Sequence, residues 1–440
     1  MPVRHIIIGS GIAAISAAES IRSVDEHARI TMISAEPYPF YYRPALARLL
    51  SGEISESLLA VRSAEQVEAL SLERLATHVR ALDPVRHEVT LGDGSTLVYD
   101  RLLIATGAAT IPADIDGATL KGVVQLDGVR DANRMLELVR NAKAAVVMGG
   151  GSTALEIAEG LNARGLATHY TMRGGRYWQR VLDDVESGLV EARLALLGIQ
   201  LHRQTSLARA VGVEGRLVAV ETTDGVRIEC DVLAVASGVR PRVEIAAGAG
   251  LMVDRGVLTD EYLETTAPDV FAAGDVAQVP DETGGRGTLD TLWASAEAQG
   301  RSAGLNMAGA KRRHVKHTAV NVTRLAGIAT TIAGAVGGAS DPDLVTLTRG
   351  QSERWDAPVG ATSVSGHRGD DRLRLVLQDT VLIGVLAMGV ESVRRPLTNL
   401  IGRRVDQATM RHAEVAQPDA ALDILTNYCN TMLGSGGVGA

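Results

Sequence analysis

The chain has 440 residues, 46% hydrophobic, 22% charged and 3% aromatic, with a net charge of −8. That length exceeds one ordinary core and implies two or three domains, and the acidic balance speaks against a nucleic-acid or anionic-membrane partner. The two cysteines, Cys230 and Cys429, are far apart, which excludes a disulfide scaffold and a cysteine zinc knuckle. No signal pattern precedes the first strand and no apolar run reaches membrane-spanning length, so a cytoplasmic location is expected, with no metal site.

Val3 to Gly9 reads as a buried parallel strand, and Ile12 to Ser23 as the helix that packs on it. Between them Gly9, Gly11 and Ala14 make a G-x-G-x-x-A turn. In this fingerprint the glycines permit a tight turn and close backbone approach to a pyrophosphate, and the helix N-terminus offers free N–H groups to the anion. Arg29 to Ser34 is the second strand. It ends at Ala35-Glu36, where a carboxylate can accept from both ribose hydroxyls. Pro37 to Gly52 then carries four aromatic residues and three prolines around a short helix. Arg43 and Arg48 are its candidates for phosphate or cofactor-edge contacts, because guanidinium is always charged and forks to oxyanions.

Thr77 to Leu82, His87 to Leu91 and Thr96 to Tyr99 read as a meander with a tight turn at Gly92-Asp93-Gly94-Ser95. The strand Arg101 to Ala105 leaves through Ala105-Thr106-Gly107, small enough for a cofactor to lie against the backbone. Pro112 to Gly117 resembles a crossover linker, and Val123 to Lys143 reads as mostly helical.

The fingerprint then recurs. Val146 to Glu159 carries Gly149, Gly151 and Ala154 after an apolar strand, followed by a helix-forming run. One match is weak evidence; two of the same grammar imply two nucleotide cofactors. After the second strand, Ala167 to Met172, the acid is absent and Arg173 and Arg176 follow. That change accommodates a 2′-phosphate and favours NADPH over NADH. Cys230 to Ala236 returns as a strand and leaves through Ser237 and Gly238 to Arg240-Pro241. A short strand in 265–275 then leads to Asp275, and Thr288 to Gly309 is helical and rich in small residues.

Beyond residue 320 the pattern changes to a Gly- and Thr-rich alternation at 321–338 and a hairpin from Arg372 to Leu377 and Val381 to Met388. Helices are expected at Ser392 to Arg403 and Asp419 to Leu433, with a flexible tail.

Together these residues resemble the flavoprotein superfamily with two dinucleotide-binding domains that includes glutathione reductase. The resemblance rests on both fingerprints, Glu36, Ala105-Thr106-Gly107, Gly238 with Arg240-Pro241, and Ala273-Gly274-Asp275. Tyr41-Tyr42-Arg43-Pro44-Ala45-Leu46-Ala47-Arg48 is similar to a segment of the subgroup of rubredoxin and ferredoxin reductases and the flavin domain of nitrite reductase, with Arg48 where those proteins have Lys. The resemblance implies an α/β chain with two Rossmann-like domains and an α+β interface domain. The FAD domain would span 1–113 and 240–320, the NAD(P) domain 114–239 and the interface domain 321–440.

By the same resemblance, FAD is held by Gly9, Ser10, Gly11, Ile12, Ala13 and Ala14, by Ala35, Glu36, Arg43, Pro44 and Arg48, and by Val79, Ala105, Thr106 and Gly107. Gly274 and Asp275 would meet the ribityl chain, and Trp293 and Ala296 the flavin pyrimidine end. NAD(P)H falls to Gly149, Gly151, Ser152, Thr153, Ala154, Glu156, Arg173, Arg176, Ser237 and Gly238. Glu156 lies near flavin N5, where it would pair with Arg48, and these two are the candidate catalytic residues.

Residues 35–60 contain no cysteine, so the thiol relay of the disulfide-reducing relatives is not expected. Electrons would pass from NAD(P)H to flavin and on to an external acceptor, with an iron–sulfur carrier leading. The alternatives are the flavoprotein subunit of a stable complex with an iron–sulfur partner, and a slow flavin sensor or scaffold. The last domain is the expected surface for docking or homo-oligomer contacts.

Overall fold

The computed structural model describes residues 2–280, 287–338, 343, 347–393 and 396–434. They form two compact units. The first comprises 1–111, 127–132 and 239–317, the second 112–126, 133–238 and 318–440.

The first unit is built on a parallel sheet in the order Val270–Ala272, Arg101–Ile104, Arg4–Ile8, Arg29–Ile33 and Leu72–Leu75. The central strand is buried on both faces, which explains its unbroken isoleucines, Ile6, Ile7 and Ile8. The edge strand Leu72–Leu75 is half-exposed and has no apolar run, so periodicity does not announce it. The meander forms as an antiparallel sheet of Val79–Asp83, Glu88–Leu91 and Thr96–Val98.

Helices Ile12–Val24 and Trp293–Met307 pack against each other through small residues. A Cβ on Gly300 would lie 2.2 Å from the Ala13 carbonyl oxygen, and one on Gly304 2.3 Å from that of Ala17. The small-residue character of the second helix is therefore a requirement of backbone-to-backbone approach.

The second unit holds a parallel sheet in the order Gln200–His202, Ala167–Thr171, Ala144–Met148, Val232–Val235 and Val123–Val124. Val123 begins an edge strand, not a helix; the helix of this stretch is Val129–Val139. β-Branched residues paired to Leu233 and Ala234 explain the difference.

The same unit contains an antiparallel sheet in the order Val320–Leu325, Ile328–Gly334, Val381–Met388, Asp371–Gln378 and Thr362–Arg368, backed by helices Gln407–Val415 and Pro418–Gly434. The expected helix at 392–403 is replaced, in its described residues, by one 3₁₀ turn at Leu397–Leu400 that follows Pro396. The helix comes later, where Asp406 caps it by accepting from the amides of Ala408 and Thr409. Apart from Gly434, the glycine-rich tail lies outside the described residues.

This sheet is fastened to the nucleotide-type fold of its unit by a buried cation. The guanidinium of Arg374 donates to both carboxylate oxygens of Glu186, at 2.7 and 2.9 Å, and to the carbonyls of Val181 and Val336. Arg372 pairs with Asp183, and Trp178 meets Trp355 edge-to-face at 6.1 Å.

Gly300→Val should lower stability by roughly 1–3 kcal/mol, the usual cost of overpacking, through the collision with Ala13. Urea melts of the two proteins check it; an unchanged midpoint would contradict the close helix contact.

Candidate functional site

In the first unit, strand Arg4–Ile8 ends at Gly9, whose φ of +126° few side chains tolerate. Its amide donates to the Ile33 carbonyl at 2.8 Å, and a Cβ there would lie 2.1 Å from the Ala105 carbonyl oxygen. The turn thus knits together the ends of three strands. Gly11 is the N-cap of the helix, and a Cβ on it would meet no described protein atom within 4 Å. The amides of Ile12, Ala13 and Ala14 follow in that first turn. Ser10 shares a 2.9 Å hydrogen bond with Ser34 across the strand ends.

Glu36 stands beyond Ala35 and is organised by its neighbours. It accepts from Arg43 Nη2 at 3.1 Å and from the Tyr41 hydroxyl at 3.2 Å. Arg43 also donates to the Asp127 carbonyl and lies over the Tyr41 ring. Pro44 stiffens the 3₁₀ turn that places it. Arg48 pairs with Glu53 at 3.2 Å, with both side chains more than half exposed.

Val79 is buried at the start of the meander. Thr106 donates its hydroxyl to the Arg242 carbonyl at 2.9 Å, and Gly107 adopts φ +66°. Gly274, at φ +82°, sits against Ala13 and Ala296, and Asp275 follows it, half-buried. The Gly274 amide donates at 2.8 Å to Gln299, which is 3% exposed. Trp293 opens its helix between Phe40, at 5.9 Å, and Tyr42, at 4.6 Å. The structure therefore brings the Ala105 exit against Gly9 and the Gly274 turn against Ala13, on either side of the first fingerprint. Gln299 and the pairing of Arg242 with Asp127 were not legible in sequence, because each is a long-range polar contact within an irregular or small-residue stretch.

The second unit repeats this turn. Gly149 has φ +146°, its amide donates to the Thr171 carbonyl at 3.1 Å, and a Cβ on it would lie 2.3 Å from the Ala236 carbonyl oxygen. That Cβ would also stand 3.2 Å from the Cβ of Ala154, a reason for a small residue at the third position. Gly151 caps helix Ser152–Ala163, with Ser152 buried and Thr153 half-buried. Ser237 and Gly238 leave strand Val232–Val235, Gly238 at φ +112°.

This second cradle has close protein neighbours from the C-terminal sheet region. Ser152 donates to the Arg349 carbonyl at 3.1 Å. The amides of Arg173 and Gly174 each donate at 2.9 Å to the Asp343 carboxylate, which also pairs with the Arg173 guanidinium at 3.4 Å. Arg176 pairs with Asp184 at 2.9 Å. Met172 is buried.

Glu156 lies one turn into the helix. By surface area it is of intermediate exposure, but protein surrounds it. Burial, with the neighbouring Glu159 adding repulsion, raises its carboxyl to about 8.

A family model described as pyridine nucleotide-disulphide oxidoreductase matches residues 3–300, the stretch that contains both turns. The chain belongs to this family. It is a pyridine nucleotide-disulphide oxidoreductase, an enzyme using FAD and a nicotinamide dinucleotide. It is 34% identical over 288 residues to the ferredoxin–NAD(+) reductase component of a biphenyl dioxygenase system from Paraburkholderia xenovorans, covering 65% of this chain and 70% of that one. It is 32% identical to a rubredoxin-NAD(+) reductase from Alcanivorax borkumensis, covering 62% and 72%. The fold is also that of a crystal structure of a ferredoxin reductase from Rhodopseudomonas palustris, with TM-score 0.81, 22% identity and coverage of 97% and 99%.

This family is named for disulphide chemistry, and the chain has two thiols. Cys230 and Cys429 are both free and buried, and burial pushes each thiol up to about 12. Among the described residues no group of three or more His, Cys, Asp or Glu could hold a metal ion, and no helix is long and apolar enough to cross a membrane.

The raised Glu156 carboxyl has a linkage consequence. The folded state holds this proton more tightly than the unfolded one, so the group's contribution is full below the ordinary carboxylate range and is lost as pH rises towards about 8. Glu156→Gln should flatten that decline, by on the order of a few kcal/mol at about 1.4 per pKa unit. Denaturant midpoints of both proteins across pH 5 to 9, read as approximate limits of this window, check it. Parallel curves would contradict the burial.

Proposed function

We propose that the chain is an NADH-dependent flavoprotein reductase that passes electrons to a small iron–sulfur carrier protein. The observation that carries this reading is the pair of matching glycine turns in a chain whose two thiols are buried: two nucleotides are provided for, and a dithiol relay is not. When bound, the cofactors supply hydride transfer from nicotinamide to flavin and stepwise release of electrons.

The residues of the first unit fit FAD. Gly9 and Gly11 permit the pyrophosphate to approach the helix N-terminus, and Glu36, held by Arg43 and Tyr41, presents carboxylate oxygens to ribose hydroxyls. Asp275 would meet the sugar-alcohol chain, and Trp293, wedged by Phe40 and Tyr42, would fix the helix end beside the pyrimidine ring. Gly149, Gly151, Ser152 and Thr153 would cradle the nicotinamide nucleotide. Glu156, its carboxyl raised by burial, would stand as a neutral acid beside that nucleotide, and Arg48 as a cation of the flavin-holding unit. In this scheme the protein orients the rings and excludes water.

NADH is preferred here over the NADPH that the missing acid and the two arginines favour. The relatives named above are NAD(+) reductases, and Arg176 is already paired with Asp184 and bonded to the Leu182 carbonyl. The iron–sulfur acceptor is drawn from the same names, and supported by the lack of reactive thiols.

The test is NADH-driven reduction of cytochrome c, with and without an added ferredoxin or rubredoxin. The expected outcome is a rate that rises at least about tenfold with the carrier, in line with chemistry limited by a docked acceptor. Equal rates with and without any such carrier, or a large NADPH advantage, would contradict the proposal.

A further inference from the structure

The two glycine turns differ in what lies against them. Around Gly11 no described protein atom stands within 4 Å of an added Cβ. At the equivalent Gly151, that Cβ would meet the Thr348 side chain at 2.6 Å, and at Gly150 the Asp343 carboxylate oxygen at 2.6 Å. Ser152, the first residue of the helix, donates its hydroxyl to the Arg349 carbonyl at 3.1 Å. These are the positions a dinucleotide's pyrophosphate needs, since it must reach the helix N-terminus across the glycines.

The Asp343 contact is a constructed one. Its carboxylate is 8% exposed and accepts from two consecutive backbone amides, those of Arg173 and Gly174, with the Arg173 guanidinium at 3.4 Å. Successive N–H groups beside a cation form an anion-binding concavity. Thr348 is held by Gln351, whose side-chain oxygen accepts from the Thr348 amide at 3.2 Å and hydroxyl at 3.0 Å. Both residues are buried.

We propose that Asp343, with Thr348 and Arg349, is an internal competitor of the nicotinamide nucleotide, so that the nucleotide binds by displacing these residues from the second glycine turn. This rests on the reading of that turn as the nicotinamide nucleotide site. The Asp343 carboxylate is the anion that the incoming nucleotide replaces. The fraction of molecules with the cradle uncovered then scales the apparent affinity, because only they are competent to bind. The relation gives the chain a way to set nucleotide affinity from the C-terminal sheet region, remote in sequence from both fingerprints.

The test is calorimetric titration of NAD+ and of NADP+ into the flavin-loaded full chain, as wild type, Asp343→Ala, Asp343→Asn and Thr348→Gly. Displacement predicts that Asp343→Ala lowers the dissociation constant by roughly tenfold, the order expected from removing a charge-assisted anchor, and by the same factor for both nucleotides. Asp343→Asn and Thr348→Gly should each show a smaller tightening in the same direction, which separates the effect from damage to folding. Unchanged or weaker binding in Asp343→Ala, or a change confined to NADP+, overturns the inference alone, since the carboxylate would then remain in place beside the bound nucleotide. Absence of nucleotide binding in every protein overturns it together with the reading on which it rests.

Discussion

The constraint on which the rest of the molecule depends is the approach of one backbone to another at the end of a buried strand. At Gly9 the neighbour is the Ala105 carbonyl, and at Gly149 the Ala236 carbonyl. In both places a side chain would collide at little over 2 Å, and in both the φ angle is one that glycine adopts freely. The turn brings the next helix N-terminus to the end of the strand, where the amides of a first helical turn suit an anion. At the first turn the packing continues outward: Gly274 leans on Ala13, and Gly300 and Gly304 let a second helix lie against the first.

The second unit solves a different problem, that of fixing an antiparallel sheet to a nucleotide-type fold. Its central fastening is ionic. Arg374 makes four hydrogen bonds to Glu186 and two carbonyls, and both side chains are almost wholly excluded from water. A buried pair of this kind contributes little net stability compared with apolar residues, because desolvation is costly, but breaking it leaves a charge stranded and costs about 3–5 kcal/mol. Its value here is positional. It orients the sheet region from which Asp343, Thr348 and Arg349 reach the second glycine turn.

Much of the α/β fold was legible in sequence because it depends on local rules. Apolar runs announced the central strands, and G-x-G-x-x-A announced both turns. Gly92-Asp93-Gly94-Ser95 announced the meander. The stretch 392–403 misled because its apolar spacing resembles a helix, while Pro396 and a late Asp406 cap decide otherwise. Leu72–Leu75 was hidden because an edge strand needs no apolar face. The positions of Glu36, Arg43 and Thr106 could be named from motif context, but not their partners. Gln299 beneath Gly274 and Asp343 beside Arg173 are contacts between residues far apart in the chain, and no periodicity encodes them. The arginines at 173 and 176 show the limit most clearly: their charge was readable, but the carboxylates that answer it were not.

The central claim is that one chain holds a flavin at the first turn and receives hydride from a nicotinamide nucleotide at the second. Anaerobic titration of the purified protein with NADH, followed by visible absorbance, tests it most directly. The account predicts a yellow protein whose flavin band bleaches with one equivalent of NADH per flavin, the stoichiometry of a two-electron hydride transfer without a dithiol. A colourless protein that takes up no flavin, or a flavin band that NADH and NADPH both leave unchanged, would contradict it.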